Sequence, residues 1–459
     1  IDDIQRARDH TLPVEQEALL AGAGLMAQGA GQVFNALDNA DLEFGEITDS
    51  DGQPAVLTKA RYYKFLKRQD RRVRRDAYTA FLDAYGALRH TLAANMDANV
   101  KTHVFFARAR RHPGTMEAAL HPDAVPPEVY HALLKTVSAH TETIHRYTAL
   151  KQRVLGLDPL REYDLAVPLF PDGEFKFDYD EACRHVLAAF APLGQDYVAT
   201  VRRGIEGGWI DVHESAGKRG GGYSNGVYDT PPYILLNWAD QLGDTFTLAH
   251  ELGHSMHSWL AIEHQPYVYG SYPIFTAEVA STFNELLLMD YLLQQADDPR
   301  RKLFLLDYHL SQINNTVFRQ TMFAEFEYRM HQHGEQGQAL TADSLGALYQ
   351  ELLDKYWGPR VAFDPQRSPL TWSRIPHFFY NYYVYQYATA YAAAVALSRR
   401  VLSGGERERE SYLDILRSGC SRYPVETIAL GGVDTASPAP VRDVITLFDE
   451  LIDQVEELL

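Results

Sequence analysis

The chain has 459 residues, 46% hydrophobic and 23% charged, which is ample material for a large core. Its formal net charge of −18 repels phosphates, so nucleic acid and anionic membrane surfaces are poor partners. Two cysteines, Cys183 and Cys420, exclude a disulfide framework and read as buried thiols of a reducing compartment.

The opening, IDDIQRARDH, has no initiator Met and none of the regions of a signal peptide. No apolar run approaches the roughly 18 residues needed to span a bilayer, so a cytoplasmic location is expected. From about Thr58 to Arg110 apolar residues recur at three and four: Tyr62, Phe65, Leu66, Val73, Tyr78, Phe81, Leu82, Leu88, Leu92. That period predicts helix, with DRRVRRD (70–76) as its solvated face. Asp123 and Pro126-Pro127 are a start signal for a long amphipathic helix or helix pair reaching VLGL near residue 157. Strand signal is scarce. PPYILLNW (231–238) is the clearest case, and its two prolines, which cannot donate to a ladder, favour a sheet edge. The tail LFDELIDQVEELL closes the chain as an amphipathic helix. These elements predict a mainly α fold with one small sheet near the stretch that follows.

TLAHELGHSMHSW (247–259) carries three histidines and a glutamate. Asp244 is the expected N-cap of a helix running to about Leu260. His250 and His254 are four apart, so both imidazoles project from one face and can grip one metal ion. Glu251 is turned roughly 100° round the helix. It is badly placed to share that ion but well placed to reach a water beside it, as H-E-x-x-H chemistry requires. His257 lies on the same face and reads as a histidine behind the ligands or at the surface.

A hydrolytic site needs a third protein ligand and an open position. The extension H-x-x-G-x-x-H is absent, because His257 and Leu260 stand where Gly and His would be needed. The alternative is a carboxylate on a returning helix. In YPIFTAEVASTFNELLLMDYLL (272–293), Glu278 sits among Phe275, Val279 and Phe283, an odd place for a charge without a partner. It is preferred to Glu263, expected just past the helix end. Glu285, seven residues on, is on the same face and can support a ligand histidine. Two histidines and one glutamate suit zinc, one ion per chain, which lowers the pKa of a water and polarises a carbonyl. Glu251 is then the general base and acid.

Charge on a tetrahedral oxyanion needs a further donor. SRIPHFFYNYYVYQYATAYAAA (373–394) supplies candidates: read as a helix after Pro376, it brings His377, Tyr380, Tyr387 and Tyr391 close to one side. Aromatic core packing is the competing reading. Six phenols between residues 380 and 391 are hard to satisfy in a dry interior, however, and a hydrated cleft suits them better.

The stretches NALDNADLEFGEI, TPPYILLNW, FTLAHELGHSMHS, YPIFTAEVASTFNE, HFFYNYYVYQYAT and GGVDTASPAPV occur in this order over nearly the whole chain. Together they resemble oligoendopeptidase F, of the thimet-oligopeptidase-like zinc metallopeptidases. The resemblance implies a zincin-like, mostly helical, two-lobed enzyme with a deep channel that admits oligopeptides and excludes folded proteins. It implies His250, His254 and Glu278 as zinc ligands, Glu251 as base, and His377, Tyr380 and Tyr387 as substrate- and oxyanion-binding groups, with Tyr387 on the oxyanion. It further implies that PPYILLNW pairs with substrate as an edge strand, and that Gly220 to Tyr223, including Gly221 and Gly222, form a substrate-contacting loop. Relatives of this branch carry over a hundred further residues ahead of the matched region, so residues 1–60 are expected to be the remainder of an N-terminal helical lobe and 61–459 the catalytic domain.

Two other readings remain open. A peptidase trimming C-termini would need a cation for the substrate carboxylate, and Arg374 is the nearby candidate. A catalytically silent peptide binder would have no use for Glu251.

Overall fold

The computed structural model describes residues 2–459 and is mainly α-helical. The chain forms two compact units, each assembled from three segments. The first takes the chain up to Pro122, His140–Pro168 and Thr321–Tyr385; the second takes Asp123–Ala139, Leu169–Gln320 and Gln386–Leu459. A boundary at residue 60 would fall inside the first unit.

In the first unit the region from Thr58 to Arg110 is three helices, Lys59–Leu66, Arg71–Ala87 and Arg89–Ala109. Thr58 and Asp70 cap the first two, accepting from the Arg61 and Arg72 amides. Val73, Ala77, Tyr78, Phe81, Leu82 and Tyr85 form the buried stripe of the second helix. One residue of the DRRVRRD face departs from the expected solvation. Arg74 is 2% exposed and pairs with the buried Asp164 at 2.7 Å, while Arg71 takes the other carboxylate oxygen at 2.7 Å. A buried cation of this kind is tolerable only with such a fully bonded partner, here 90 residues away in sequence. The expected helix pair after Pro126 is Pro127–Ser138 and Thr141–Leu155.

In the second unit a three-stranded sheet has the order Ile210–His213, Tyr233–Trp238, Tyr223–Asn225. The middle strand runs parallel to the first and antiparallel to the last. This corrects the edge position expected for PPYILLNW. Pro231 and Pro232 stand ahead of the first ladder residue, Tyr233, so neither has to donate; the Ile234 amide already bonds Trp209 O at 2.8 Å. The edges are Ile210–His213 and, on the other side of Tyr233–Trp238, Tyr223–Asn225. The Leu242–His264 helix packs against Tyr233–Trp238 and Tyr223–Asn225, and its other sides meet Tyr179–Ala189, Glu406–Arg417 and, most extensively, Ile274–Gln295. The C-terminal helix Ala439–Leu458 covers Pro127–Ser138 and Pro299–Ile313. Among the described residues no helix is long and apolar enough to cross a membrane.

Candidate active site

The helix carrying the histidine pair starts three residues earlier than expected. Gln241 is the cap, and Asp244 sits in the first turn, where its carboxylate accepts from the Ala239 amide at 2.8 Å and the Gln241 amide at 3.0 Å. The helix ends at His264, so Glu263 lies inside it rather than beyond it; its carboxylate accepts from Trp259 Nε1.

This helix crosses Ile274–Gln295 at very close range, and Gly253 makes the approach possible. A Cβ there would stand 2.6 Å from Ala280 O and 2.6 Å from Ser281 Cα. The close crossing brings His250, His254 and Glu278 together. Nε2 of His250 lies 3.5 Å from Glu278 Oε2, and Nε2 of His254 lies 3.8 Å from it. Their ligand atoms all fall within 4.8 Å of one another. Zinc bonds of about 2.0–2.2 Å at tetrahedral angles separate ligand atoms by about 3.3–3.6 Å, close to the two histidine–glutamate distances here.

Each donor is held from behind. The Nδ1–H of His250 donates to Glu285 Oε1 at 2.6 Å, which turns Nε2 toward the cluster. Glu285 is fixed in turn by Gln312 Nε2 at 3.2 Å. His254 bonds the Ala277 backbone. Glu278 Oε2 accepts from the Ser281 hydroxyl at 2.9 Å.

The charge balance favours a cation. Burial disfavours a charged His250, but the hydrogen bond to Glu285 and the charges of Glu285, Glu278 and Glu251 outweigh it and push its pKa up to about 9. His254 is pushed down to about 4, by burial and then by the charge on His250. The carboxylates of Glu285, Glu278 and Glu251 thus all act on His250 in the sense that favours positive charge.

Glu251 stands beside this group and outside it. It is 5% exposed, and burial first, then Glu278 and Glu285, push it up to about 7 against the opposing pull of His250. Its Oε2 is buried with no hydrogen-bond partner among the described residues. The carboxylate faces the edge strand Tyr223–Asn225, where the Ser224 backbone bonds it. A Cβ on Gly222 would lie 3.4 Å from Glu251 Oε1 and 2.8 Å from Thr247 Cγ2, so only glycine fits at this approach. Gly221 adopts φ +90° next to it, and Tyr223, the first strand residue, is 49% exposed.

His257 is not a surface residue but an interior one, close enough for the charge of His254 to act on it. It is fully buried, stacked on Tyr272 with ring centroids 3.6 Å apart, and burial pushes it down to about 3. The Tyr272 hydroxyl donates to the His254 carbonyl at 3.2 Å. Tyr272, Ser281 and Gln312 support the cluster, and no spacing rule singles them out in the sequence.

The expected helix after Pro376 is broken. A short 3-10 turn, Pro376–Phe379, is followed by Asn381 and Tyr382 at φ 51° and 57°, and the helix proper is Tyr385–Ser403. His377, Tyr380 and Tyr383 cluster in the first unit with ring centroids 5.8–5.9 Å apart. Tyr387 and Tyr391 belong to the second unit, one turn apart on the helix. Burial raises the Tyr391 phenol well above its usual pKa, and the charge of Glu285 raises it further, so this face of the helix senses the carboxylate behind His250. Arg374 is buried in the first unit and donates to the Tyr63 hydroxyl at 2.9 Å.

The sequence profile of peptidase family M3 matches residues 64–447, and that of oligopeptidase F matches residues 1–44. The chain belongs to peptidase family M3. It is 44% identical to oligopeptidase PepF of Bacillus subtilis over 459 residues, all of this chain and 68% of that one. It is 42% identical to group B oligopeptidase PepB of Streptococcus agalactiae over 452 residues, 98% of this chain and 75% of that one. The crystal structure of oligoendopeptidase-F from Enterococcus faecium superposes with a TM-score of 0.83 at 36% identity, covering 100% of this chain and 77% of that one. M3 peptidases are metallopeptidases, so this enzyme hydrolyses peptide bonds with a metal ion.

Proposed function

We propose that this M3 peptidase is a zinc-dependent endopeptidase acting on short oligopeptides, with one zinc per chain held by His250, His254 and Glu278. The observation that carries the reading is the convergence of two Nε2 atoms on one Glu278 oxygen, at 3.5 and 3.8 Å, with Glu285 bonded behind His250. Zinc held there supplies a Lewis acid for the scissile carbonyl and a water of lowered pKa. Glu251 takes the proton of the attacking water on its unpartnered oxygen and returns it to the leaving nitrogen. Substrate backbone pairs with the exposed edge Tyr223–Asn225 rather than with Tyr233–Trp238, which is why side-chain preference is broad. Gly221 and Gly222 leave room for the substrate chain to approach Glu251.

Tyr387 donates its hydroxyl to the developing oxyanion, and His377 and Tyr380 hold the substrate. Support for Tyr387 comes from its place one turn before Tyr391, which senses Glu285. Tyr387→Phe is expected to lower kcat by about 10²–10³; an unchanged kcat removes it from the reaction. Removing the bond behind His250 by Glu285→Ala should weaken zinc binding by about 10–100-fold. Competition with a fluorescent chelator measures that shift, and parental affinity would show that Glu285 does not orient the ligand.

The substrate class is tested with an internally quenched peptide blocked at both ends and with a folded protein carrying the same cut site. Cleavage of the first and not the second is the expected result, and a requirement for a free terminus would replace the endopeptidase reading with a chain-end one. Arg374, the cation such an enzyme would use, is instead committed to Tyr63.

A further inference from the structure

Asn381 and Tyr382 stand in succession in the left-handed region, and neither is glycine. Such residues are strained and persist only where the surroundings over-determine them. Here the bend has an anchor on each side. Ahead of it, the buried Phe378 ring lies 5.1 Å from Phe326, and its carbonyl accepts from Asn99 Nδ2 at 3.1 Å. Behind it, the Tyr382 amide donates to Glu327 Oε1 at 2.6 Å, and the Tyr382 hydroxyl lies 3.1 Å from Thr115 Oγ1. Between the anchors sits Tyr380, 55% exposed, with His377 and Tyr383 edge-on to it.

Glu327 is fully buried, and its second oxygen has no partner among the described residues. Burial pushes its pKa up to about 8, opposed by the Tyr382 amide. A carboxyl in this place is expensive to bury, and the one hydrogen bond it makes is to the backbone of the bend.

We propose that Glu327 is a positioning residue for peptide hydrolysis: its bond to the Tyr382 amide fixes the left-handed bend and so presents His377, Tyr380 and Tyr383 as one set. The proposal rests on the reading that His377 and Tyr380 act on substrate. Its partner is an amide, so any acceptor of equal reach serves. Glutamine has one and leucine does not.

The test is kcat and KM on the end-blocked quenched peptide, with zinc content measured in each protein. Glu327→Leu is expected to lower kcat by about tenfold or more, with KM within about threefold and zinc still one per chain. Glu327→Gln is expected to stay within about twofold of the parent. A merely structural role would not produce a kcat loss that glutamine rescues at constant zinc. Parental kcat in Glu327→Leu overturns the proposal, as does a Glu327→Gln protein impaired equally. Should the leucine protein be insoluble, Glu327→Asp, one methylene too short to reach the amide, is expected to show the same loss, and parental kcat there overturns the proposal too. Tyr380→Phe and His377→Ala are measured alongside. If both keep parental kcat, the reading of the rings fails and the proposal with it. If they lose kcat while Glu327→Leu does not, only the positioning role fails.

Discussion

Glu251→Gln is expected to keep the metal in place and to lower kcat by about 10²–10⁴. The reason is positional. Glu251 follows His250 directly, so its side chain leaves the helix roughly 100° away from the ligand face. It is not one of the three groups whose donor atoms converge. Its carboxylate instead faces Gly222 and Ser224 on the edge strand, with one oxygen unpartnered. Glutamine keeps the shape and can still accept from Ser224, but it cannot hold a proton. Metal analysis and turnover on one preparation separate the two roles. Loss of zinc would make Glu251 a ligand in disguise, and retained turnover would hand the proton to another group.

Much of this site is legible in the sequence because local geometry dictates it. Four-residue spacing on a helix puts His250 and His254 on one face in any fold. Glu278 stands out as a charge in an apolar run, and Glu285 follows at helical spacing. What is not legible depends on partners remote in sequence. Arg74 looks solvated until Asp164 arrives from 90 residues away. Tyr233–Trp238 looks like an edge strand because prolines precede it; its central place is set by Ile210–His213 and Tyr223–Asn225 pairing on both sides. The helix expected after Pro376 is interrupted at Asn381 and Tyr382, two residues with no glycine to announce a left-handed turn. The carboxylate that holds the turn lies 55 positions earlier. In each case a hydrogen bond or ion pair to a partner remote in sequence outweighs the local preference.

Gly253→Ala carries the second large effect, although the residue touches neither metal nor substrate. Alanine gains about 1 kcal/mol over glycine in a helix interior, so the intrinsic change is favourable. Against it stands the crossing: the new Cβ would meet Ala280 O at 2.6 Å, Ser281 Cα at 2.6 Å and Ser281 N at 2.9 Å. These distances are far inside the roughly 3.5–4.0 Å of normal contact. All three are backbone atoms, so no rotamer change relieves them, and overpacking of this kind costs about 1–3 kcal/mol or more. The helices must part, and they carry His254 next to Gly253 on one side and Glu278, held by Ser281, on the other. A displacement near 1 Å is enough to cost about 10²-fold in rate. The expected result is a lower thermal midpoint, zinc lost at limiting metal, and turnover down by at least that factor. Gly243→Ala is the matched control, on the same helix with nothing within 4 Å of its Cβ; it should keep zinc and turnover. A Gly253→Ala protein with parental zinc affinity and rate would mean that the two helices can separate without moving the ligands, and the close crossing would lose its role in building the site.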